Sequence, residues 1–311
     1  MAAVTTTTPQ PPGLSTVDAP VRRRRRRGSL APLLFTAAAM VLFALFFLWP
    51  GALGLFYSFT SYRGVGEPKF TGLENYSRLF SDDAFYRVLG RTLLYTVLAV
   101  PLHYVMALGI ATLLVSKFTR GQNVARIVFF FPWLVSPIVA GVIWRWLFGE
   151  NFGFVNFALG QLGIGAVQWE TRGNLSLAVV LFAGTWGGTA FNMLLFIAAL
   201  KNIPRSYLEA AEIDGASAWQ RFRHVVLPLL APTSFMVVLL STIGSMKEFA
   251  MIQALNGGGP GTQNMLMVQY IYQTGFERAR IGYASAVSMV LMVILLVIAV
   301  VQLRFDRGGD R

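Results

Sequence analysis

An all-α fold, a polytopic membrane protein with six transmembrane helices, is what this sequence predicts, and three observations predict it. The 311 residues are 55% hydrophobic and only 13% charged, where a soluble domain carries roughly 25% charge. Mean hydropathy is +0.57. Six stretches, near 30–57, 90–115, 125–148, 175–200, 227–246 and 282–304, reach the roughly 20 apolar residues that a bilayer core demands of a helix. All six are apolar almost all round, so helix is inferred from length and not from period. The glycines and prolines inside them are tolerated in membrane helices.

Met1 to Pro20 is rich in Thr, Pro and Ala, a composition too poor in apolar area to offset the entropy of ordering it. Residues 1–29 are therefore expected to form a disordered tail, ending in the unbroken run Arg22–Arg27. The apolar stretch that follows, Leu30–Phe59, exceeds the roughly 7–15 residues of a signal-peptide core, so it is read as the first span. Residues 30–305 make up the transmembrane domain, with a polar loop at 202–228, and 306–311 a short tail.

The net charge of +12 could suggest a nucleic-acid partner, but its distribution fixes a topology instead. With both termini in the cytoplasm of a multi-pass cell-membrane protein, inner segments hold sixteen of the 26 Lys and Arg against six of the 14 Asp and Glu, a net +10. The opposite face is left with +2. Three segments are placed outside, 58–89, 149–174 and 247–281, the last with the turn-forming Asn256-Gly-Gly-Gly-Pro-Gly261.

Several chemistries are excluded. There is no cysteine, so no disulfide, thiolate metal site or cysteine nucleophile. No Gly-x-x-x-x-Gly-Lys stretch exists, so the chain does not itself bind ATP through a P-loop. The two histidines, His103 and His224, are isolated and offer no metal-ligand spacing, and no GxSxG elbow marks a hydrolase. His103 is read as an interhelical hydrogen bond.

The loop between the fourth and fifth spans is the most informative segment. Pro204 suits a first helical position, helix is expected through Ile213, Asp214-Gly215 signals a turn, and Ala216–His224 can form a second short helix before Pro228. The result is a helix-turn-helix elbow. Small Ala210 and Ala211 beside Glu209 and Glu212 let a partner surface approach closely, and Trp219 and Phe222 share one face.

Glu209-Ala210-Ala211, then Asp214-Gly215-Ala216, then Leu227-Pro228 resemble the EAA loop of the permease subunits of binding-protein-dependent ABC importers. Val225 stands where that pattern usually has isoleucine. Looser similarity to the first permease subunit of maltose-type importers extends from about residue 30 to the end. It includes Trp49-Pro50, Tyr57–Tyr62, Phe70–Tyr76, Leu79-Phe80, Phe85, Arg91–Leu93 and Asn256–Gly261. The large inserted outward domain and two further spans of the best-known member have no counterpart. The resemblance implies a type I importer permease fold, with the loop docking on a separate ATPase that carries ATP and magnesium. Further implied partners are a second permease, two ATPase subunits and an extracytoplasmic solute-binding protein, besides membrane lipid. No cofactor and no nucleic acid are implied for this chain.

A charge at the bilayer centre costs about 2.5–3.5 kcal/mol on insertion scales, and no span centres one, which argues against an ion pathway. A hydroxylated solute, a carbohydrate, polyol or glycerophosphate ester, fits amides, hydroxyls and ring faces better. The candidates for its path are Trp186, Thr189, Asn192, Ser241, Ser245, Gln269, Tyr270 and Gln273. Lys247-Glu248 and Arg145, flanked by Trp144 and Trp146, are placed at the outer interface, snorkelling. The alternative, an ion-coupled secondary transporter, calls for embedded carboxylates or inverted repeats, and neither is evident.

Overall fold

The computed structural model describes residues 31–116 and 121–308. The Arg22–Arg27 run, Lys117, Arg120 and the extreme C-terminus lie outside the described residues. By contact the chain divides into Met1–Pro50 and Gly51–Arg311. The first unit holds α1 (Ala31–Phe43) and a π-helical turn at Ala44–Leu48, which continues into α2 (Trp49–Ser58).

In the second unit, α3 (Glu74–Phe80) leads into the long α4 (Asp83–Val115), then α5 (Gln122–Leu134), α6 (Pro137–Phe148) and α7 (Phe154–Gln161). The 30-residue α8 (Gly173–Asn202) precedes α9 (Arg205–Ile213), α10 (Ala218–Arg221), a π-helical turn at Phe222–Val226 and α11 (Leu227–Leu229). The chain closes with α12 (Ala231–Met246), α13 (Ala250–Leu255), α14 (Met267–Tyr272), a π-helical turn at Gln273–Glu277 and α15 (Ile281–Gly308). No strand occurs among the described residues beyond an isolated bridge between Thr60 and Phe70. The helix α15 runs through residues 306–308, which the sequence assigned to a tail.

Among the described residues, four helical stretches are long and apolar enough to cross a bilayer unbroken: Leu34–Ser58, Asp83–Val115, Gly173–Asn202 and Ile281–Arg304. The third and fifth expected spans are bent pairs instead, Gln122–Leu134 with Pro137–Phe148 at 99° and Ala218–Leu229 with Ala231–Met246 at 69°. Proline is the cause of the first break. Pro137 excludes the helical region for the residue before it, and Ser136 accordingly sits at φ −55°, ψ 135°. At the second, the break falls at the turn residue Leu230 (φ −85°, ψ −3°), between Pro228 and Pro232. Six spans result when each bent pair counts as one.

Helices α4 and α8 form the central seam. Gly184 and Gly188, one turn apart on α8, face α4: a Cβ on Gly184 would strike the Tyr95 hydroxyl, and one on Gly188 would lie 2.8 Å from the His103 ring. Small residues at such seams let helix backbones approach closely. Around the seam three apolar clusters form, one centred on Tyr95, Val180 and Ile252, one on Phe85, Met267 and Val287, and one on Leu108, Phe196 and Leu230.

The connections are well tied. Asp82 caps α4 by accepting the Ala84 N–H at 2.9 Å, while its other oxygen accepts hydroxyls from Tyr270 (2.8 Å) and Tyr283 (2.7 Å). Burial acts to raise the Asp82 pKa, but the bonds from Tyr283, Tyr270 and the backbone outweigh it and hold the carboxyl below its ordinary value. A depressed folded pKa means a contribution to stability that is present at neutral pH and lost as pH falls below about 4, through the folded value. Asp82→Ala removes the cap and the shared acceptor of the Tyr270 and Tyr283 hydroxyls, and should lower stability by about 2–4 kcal/mol. Thermal unfolding in detergent measures this, and an unchanged midpoint would refute the pinning role. In the segment 149–172, Glu150 accepts from the backbones of Glu170 (2.8 Å) and Thr171 (2.7 Å), and Asn156 bridges Glu150, Val167 and Trp169.

Candidate functional site

Two features concentrate the chemistry: a cavity in the bundle and the exposed elbow. The cavity, about 640 Å³, lies between α4, α5, α6, α8, α12 and the start of α13. Ligand sites commonly run from about 300 to 1,000 Å³. One wall is aromatic. Trp133 stacks on Phe191 with centroids 5.0 Å apart, and Trp186 meets Trp144 edge-on at 5.7 Å. The other wall is polar. Ser241 and Ser245 lie four residues apart on α12, hence on one side, Glu248 follows just beyond the end of that helix, and Asn192 donates to Ser241 Oγ at 2.9 Å across to α12. Ser245 is buried, and its hydroxyl has no hydrogen-bond partner among the described residues. His103 closes one end, its Nε2 donating to the Gly184 carbonyl at 3.2 Å.

Of the eight path candidates, Trp186, Asn192, Ser241 and Ser245 line this cavity. Thr189 is buried on α8 but is not part of the lining. Gln269, Tyr270 and Gln273 fall elsewhere. Gln269 is fully buried and joins Gln253 (3.0 Å) and the Leu266 backbone (3.1 Å), Tyr270 is tied to Asp82, and Gln273 opens a π-helical turn.

Sequence reasoning missed Glu248. The segment after α12 was expected outside, with Lys247-Glu248 at the interface. Instead the chain turns at Phe249 (φ −144°, ψ −61°) and re-enters the bundle as α13, where Gly141 of α6 allows the Met251 carbonyl to approach closely. Lys247 stays exposed while Glu248 is carried onto the cavity wall. Trp144, also assigned to the interface, is buried against Trp186 and Phe182, whereas Arg145 and Trp146 are exposed.

The elbow has the expected helix-turn-helix form. Pro204 is the N-cap (ψ 130°) and α9 starts one residue later, so proline sits outside the helix and not at its first position. The helix ends in a Schellman arrangement: the Gly215 N–H reaches Glu212 O at 3.1 Å, and the Ala216 N–H reaches Ala211 O at 2.9 Å. This requires the left-handed φ of +76° that Gly215 adopts. Ser217 then caps α10 by accepting the Gln220 N–H, while the Gln220 side chain accepts the Ser217 N–H at 2.8 Å, a reciprocal capping box. Arg221 pairs with Glu212 at 3.1 Å across the two arms.

Glu209, Ala210, Asp214 and Gly215 are exposed, Ala211 and Ala216 half-buried. Ile213 is 86% exposed and Trp219 65%, an apolar presence on a polar loop. The far arm is anchored: Phe222, Val226 and the half-buried Leu227 pack on the cluster of Leu108, Phe196 and Leu230, while Pro228 stays exposed. The arrangement can therefore carry a displacement of the elbow into α4, α8 and α12, the helices that also wall the cavity.

The Asn256–Gly261 loop is bound to the beginning of α8. Asn256 donates to Ser176 Oγ (2.8 Å), Ser176 donates to Gly259 O (3.0 Å), and Asn264 donates to both Gly173 O (3.0 Å) and Gly259 O (2.9 Å). No group of side chains that could hold a metal ion occurs among the described residues.

Comparison with known proteins adds relatives along nearly the whole chain. Residues 19–308 match the family described as binding-protein-dependent transport system inner membrane component. The sn-glycerol-3-phosphate transport system permease protein UgpA of Agrobacterium fabrum is 34% identical over 280 residues, covering 89% of this chain and 94% of the relative. The arabinooligosaccharides transport system permease protein AraP of Bacillus subtilis is 34% identical over 278 residues, covering 89% of this chain and 88% of the relative. In fold, the chain is similar to one in the crystal structure of a bacterial ABC transporter that imports the acidic polysaccharide alginate. There the TM-score is 0.79 at 21% identity, covering 91% of this chain and 97% of the other. A chain of the bacterial alginate transporter in complex with alginate pentasaccharide-bound periplasmic protein gives a TM-score of 0.80 at 21% identity, covering 91% and 96%.

Proposed function

Because the chain belongs to the family of binding-protein-dependent transport system inner membrane components, we propose that its cavity is the solute site of an ATP-driven importer and its elbow the contact for the motor. The protein is a multi-pass membrane permease component of an ABC importer. In the proposed assembly it pairs with a second permease, rests on two ATPase subunits that hold ATP and magnesium, and receives its solute from an extracytoplasmic binding protein. Both termini and the elbow face the cytoplasm in this reading, which the +10 excess of basic charge supports. The solute is a carbohydrate, polyol or glycerophosphate ester, in keeping with the names of relatives one-third identical to this chain.

The observation that carries this reading is the continuous packing from the elbow, through Phe222, Val226 and Leu227, to helices that wall a cavity with one polar and one aromatic side. Glu209, Ala210, Ala211, Asp214, Gly215 and Ala216 are the docking surface; Leu227 and Pro228 belong to the arm that transmits its motion. Trp186, Asn192, Ser241 and Ser245 contact the solute, and the amide of Asn192 does so while bonded to Ser241. Thr189, Gln269, Tyr270 and Gln273 stay off the wall and support the helices that form it.

Uptake into proteoliposomes tests the whole reading. The full assembly should import solute only with ATP and binding protein. Uptake by this chain alone along an ion gradient would sink the proposal in favour of an autonomous transporter. Within the assembly, Asn192→Leu removes the bond to Ser241 and an amide from the wall, and should raise the solute KM about tenfold. Uptake titrations give that KM, and an unchanged value would remove Asn192 from the site.

A further inference from the structure

The wall chemistry is one-sided in charge. Glu248 is the one acid lining the cavity, and no Lys or Arg is among the described residues that line it. The nearest candidate for a base, His103, already directs its Nε2–H to Gly184 O. Among the described residues Glu248 has no cationic partner either: the ion pair found there joins Arg221 to Glu212, on the elbow. Its Oε1 accepts the Phe249 N–H at 3.1 Å. A carboxylate offers about four lone-pair sites, so acceptor capacity remains for a ligand. Three residues back, on the last turn of α12, stands the buried hydroxyl of Ser245, with no hydrogen-bond partner among the described residues.

Phosphate recognition calls for the opposite set. A phosphate monoester carries about −1.5 to −2 at neutral pH and is bound by Arg, Lys or clustered N–H donors. A sugar presents adjacent hydroxyls, which one carboxyl group can accept together, and an apolar C–H face, which Trp133 and Trp186 can cover.

We infer that the cavity selects an uncharged polyhydroxylated solute and rejects phosphate esters, with Glu248 and Ser245 as the specificity-determining pair. This rests on the reading of the cavity as the solute site and narrows the class proposed above from sugars and glycerophosphate esters together to sugars and polyols. Glu248 accepts solute hydroxyls, Ser245 supplies a donor or acceptor beside it, and a phosphate placed there would face a carboxyl group with no cation on this chain's wall to offset either charge.

The test uses the complete importer, with its partner permease and ATPases, in nanodiscs. Tryptophan fluorescence reports on the wall through Trp133 and Trp186, and the probes are arabinotriose, maltotriose and sn-glycerol 3-phosphate. At least one neutral sugar should bind a hundredfold or more tightly than the phosphate ester. The near-isosteric Glu248→Gln should weaken that sugar about tenfold, and Glu248→Lys should abolish sugar binding while raising affinity for the phosphate ester. Tight binding of sn-glycerol 3-phosphate to the unmodified protein overturns the inference, as does sugar binding indifferent to both substitutions. Either result leaves the solute-site reading standing, because binding still occurs in the cavity. Silence of the wall tryptophans toward every probe, in an assembly that imports one of them, would defeat the solute-site reading itself.

Discussion

Gly215→Val should abolish uptake while leaving the protein in the membrane at its normal abundance. The site itself has room, since nothing lies within 4 Å of a Cβ built there. The difficulty is the backbone. At φ +76° an L-residue costs roughly 1–2 kcal/mol, and a β-branched one is worse still. The forces opposing that strain are small. The Arg221–Glu212 pair, half-buried at the arginine and exposed at the glutamate, contributes about 0.2–1 kcal/mol and the Ser217 cap about 1 kcal/mol. Strain therefore equals what holds the elbow, and the turn between α9 and α10 should open. The spans are remote from this turn and insert normally. Because Asn tolerates the left-handed region, Gly215→Asn should retain much of the uptake, with Gly215→Ala between the two. Equal activity of the Asn and Val variants would show that the turn conformation is irrelevant to coupling.

Gly188→Ala should destabilise the bundle and weaken solute binding, although the change adds one carbon. That carbon would lie 2.8 Å from two atoms of the His103 ring, closer than real contacts allow. To escape, His103 must rotate, losing its bond to Gly184 O, or α8 must move off α4. Overpacking of this kind costs about 1–3 kcal/mol, and the displaced ring intrudes on the cavity. Gly187→Ala is the control for stability, because a Cβ there meets nothing within 4 Å. Pairing Gly188→Ala with His103→Ala should restore most of the thermal stability. If the double variant is no better than the single, the clash is not the cause.

The elbow was legible because its determinants are local: Asp214-Gly215 for the turn, Ser217 and Gln220 for the cap, and the spacing of Trp219 and Phe222, whose rings stack at 5.7 Å. Helix bounds shifted where proline intervened. Pro137, Pro228 and Pro232 were visible in the sequence, but an apolar run long enough for a span says nothing about whether the helix inside it is continuous. The cavity was half legible. Trp186, Asn192, Ser241 and Ser245 sit on regular helices whose polar positions have few places to face. Tyr270 could not be placed in that way, because its role depends on Asp82, 188 residues earlier. Glu248 was hidden for the same reason: only the packing of α13 against α6 shows that the chain turns inward after Lys247.

That inward turn joins two regions that would otherwise be independent. The short α13 has Glu248 just before it, Met251 on the cavity wall, and Asn256 just after it, knotted to Ser176. A six-residue buried helix is too short to bend, so displacing either end moves the other. Under the proposed function, occupancy of the cavity and the position of the glycine-rich loop should therefore be coupled. A partner that grips the loop should then alter the cavity's affinity for solute, and solute should alter the grip by the same factor, because linkage is reciprocal.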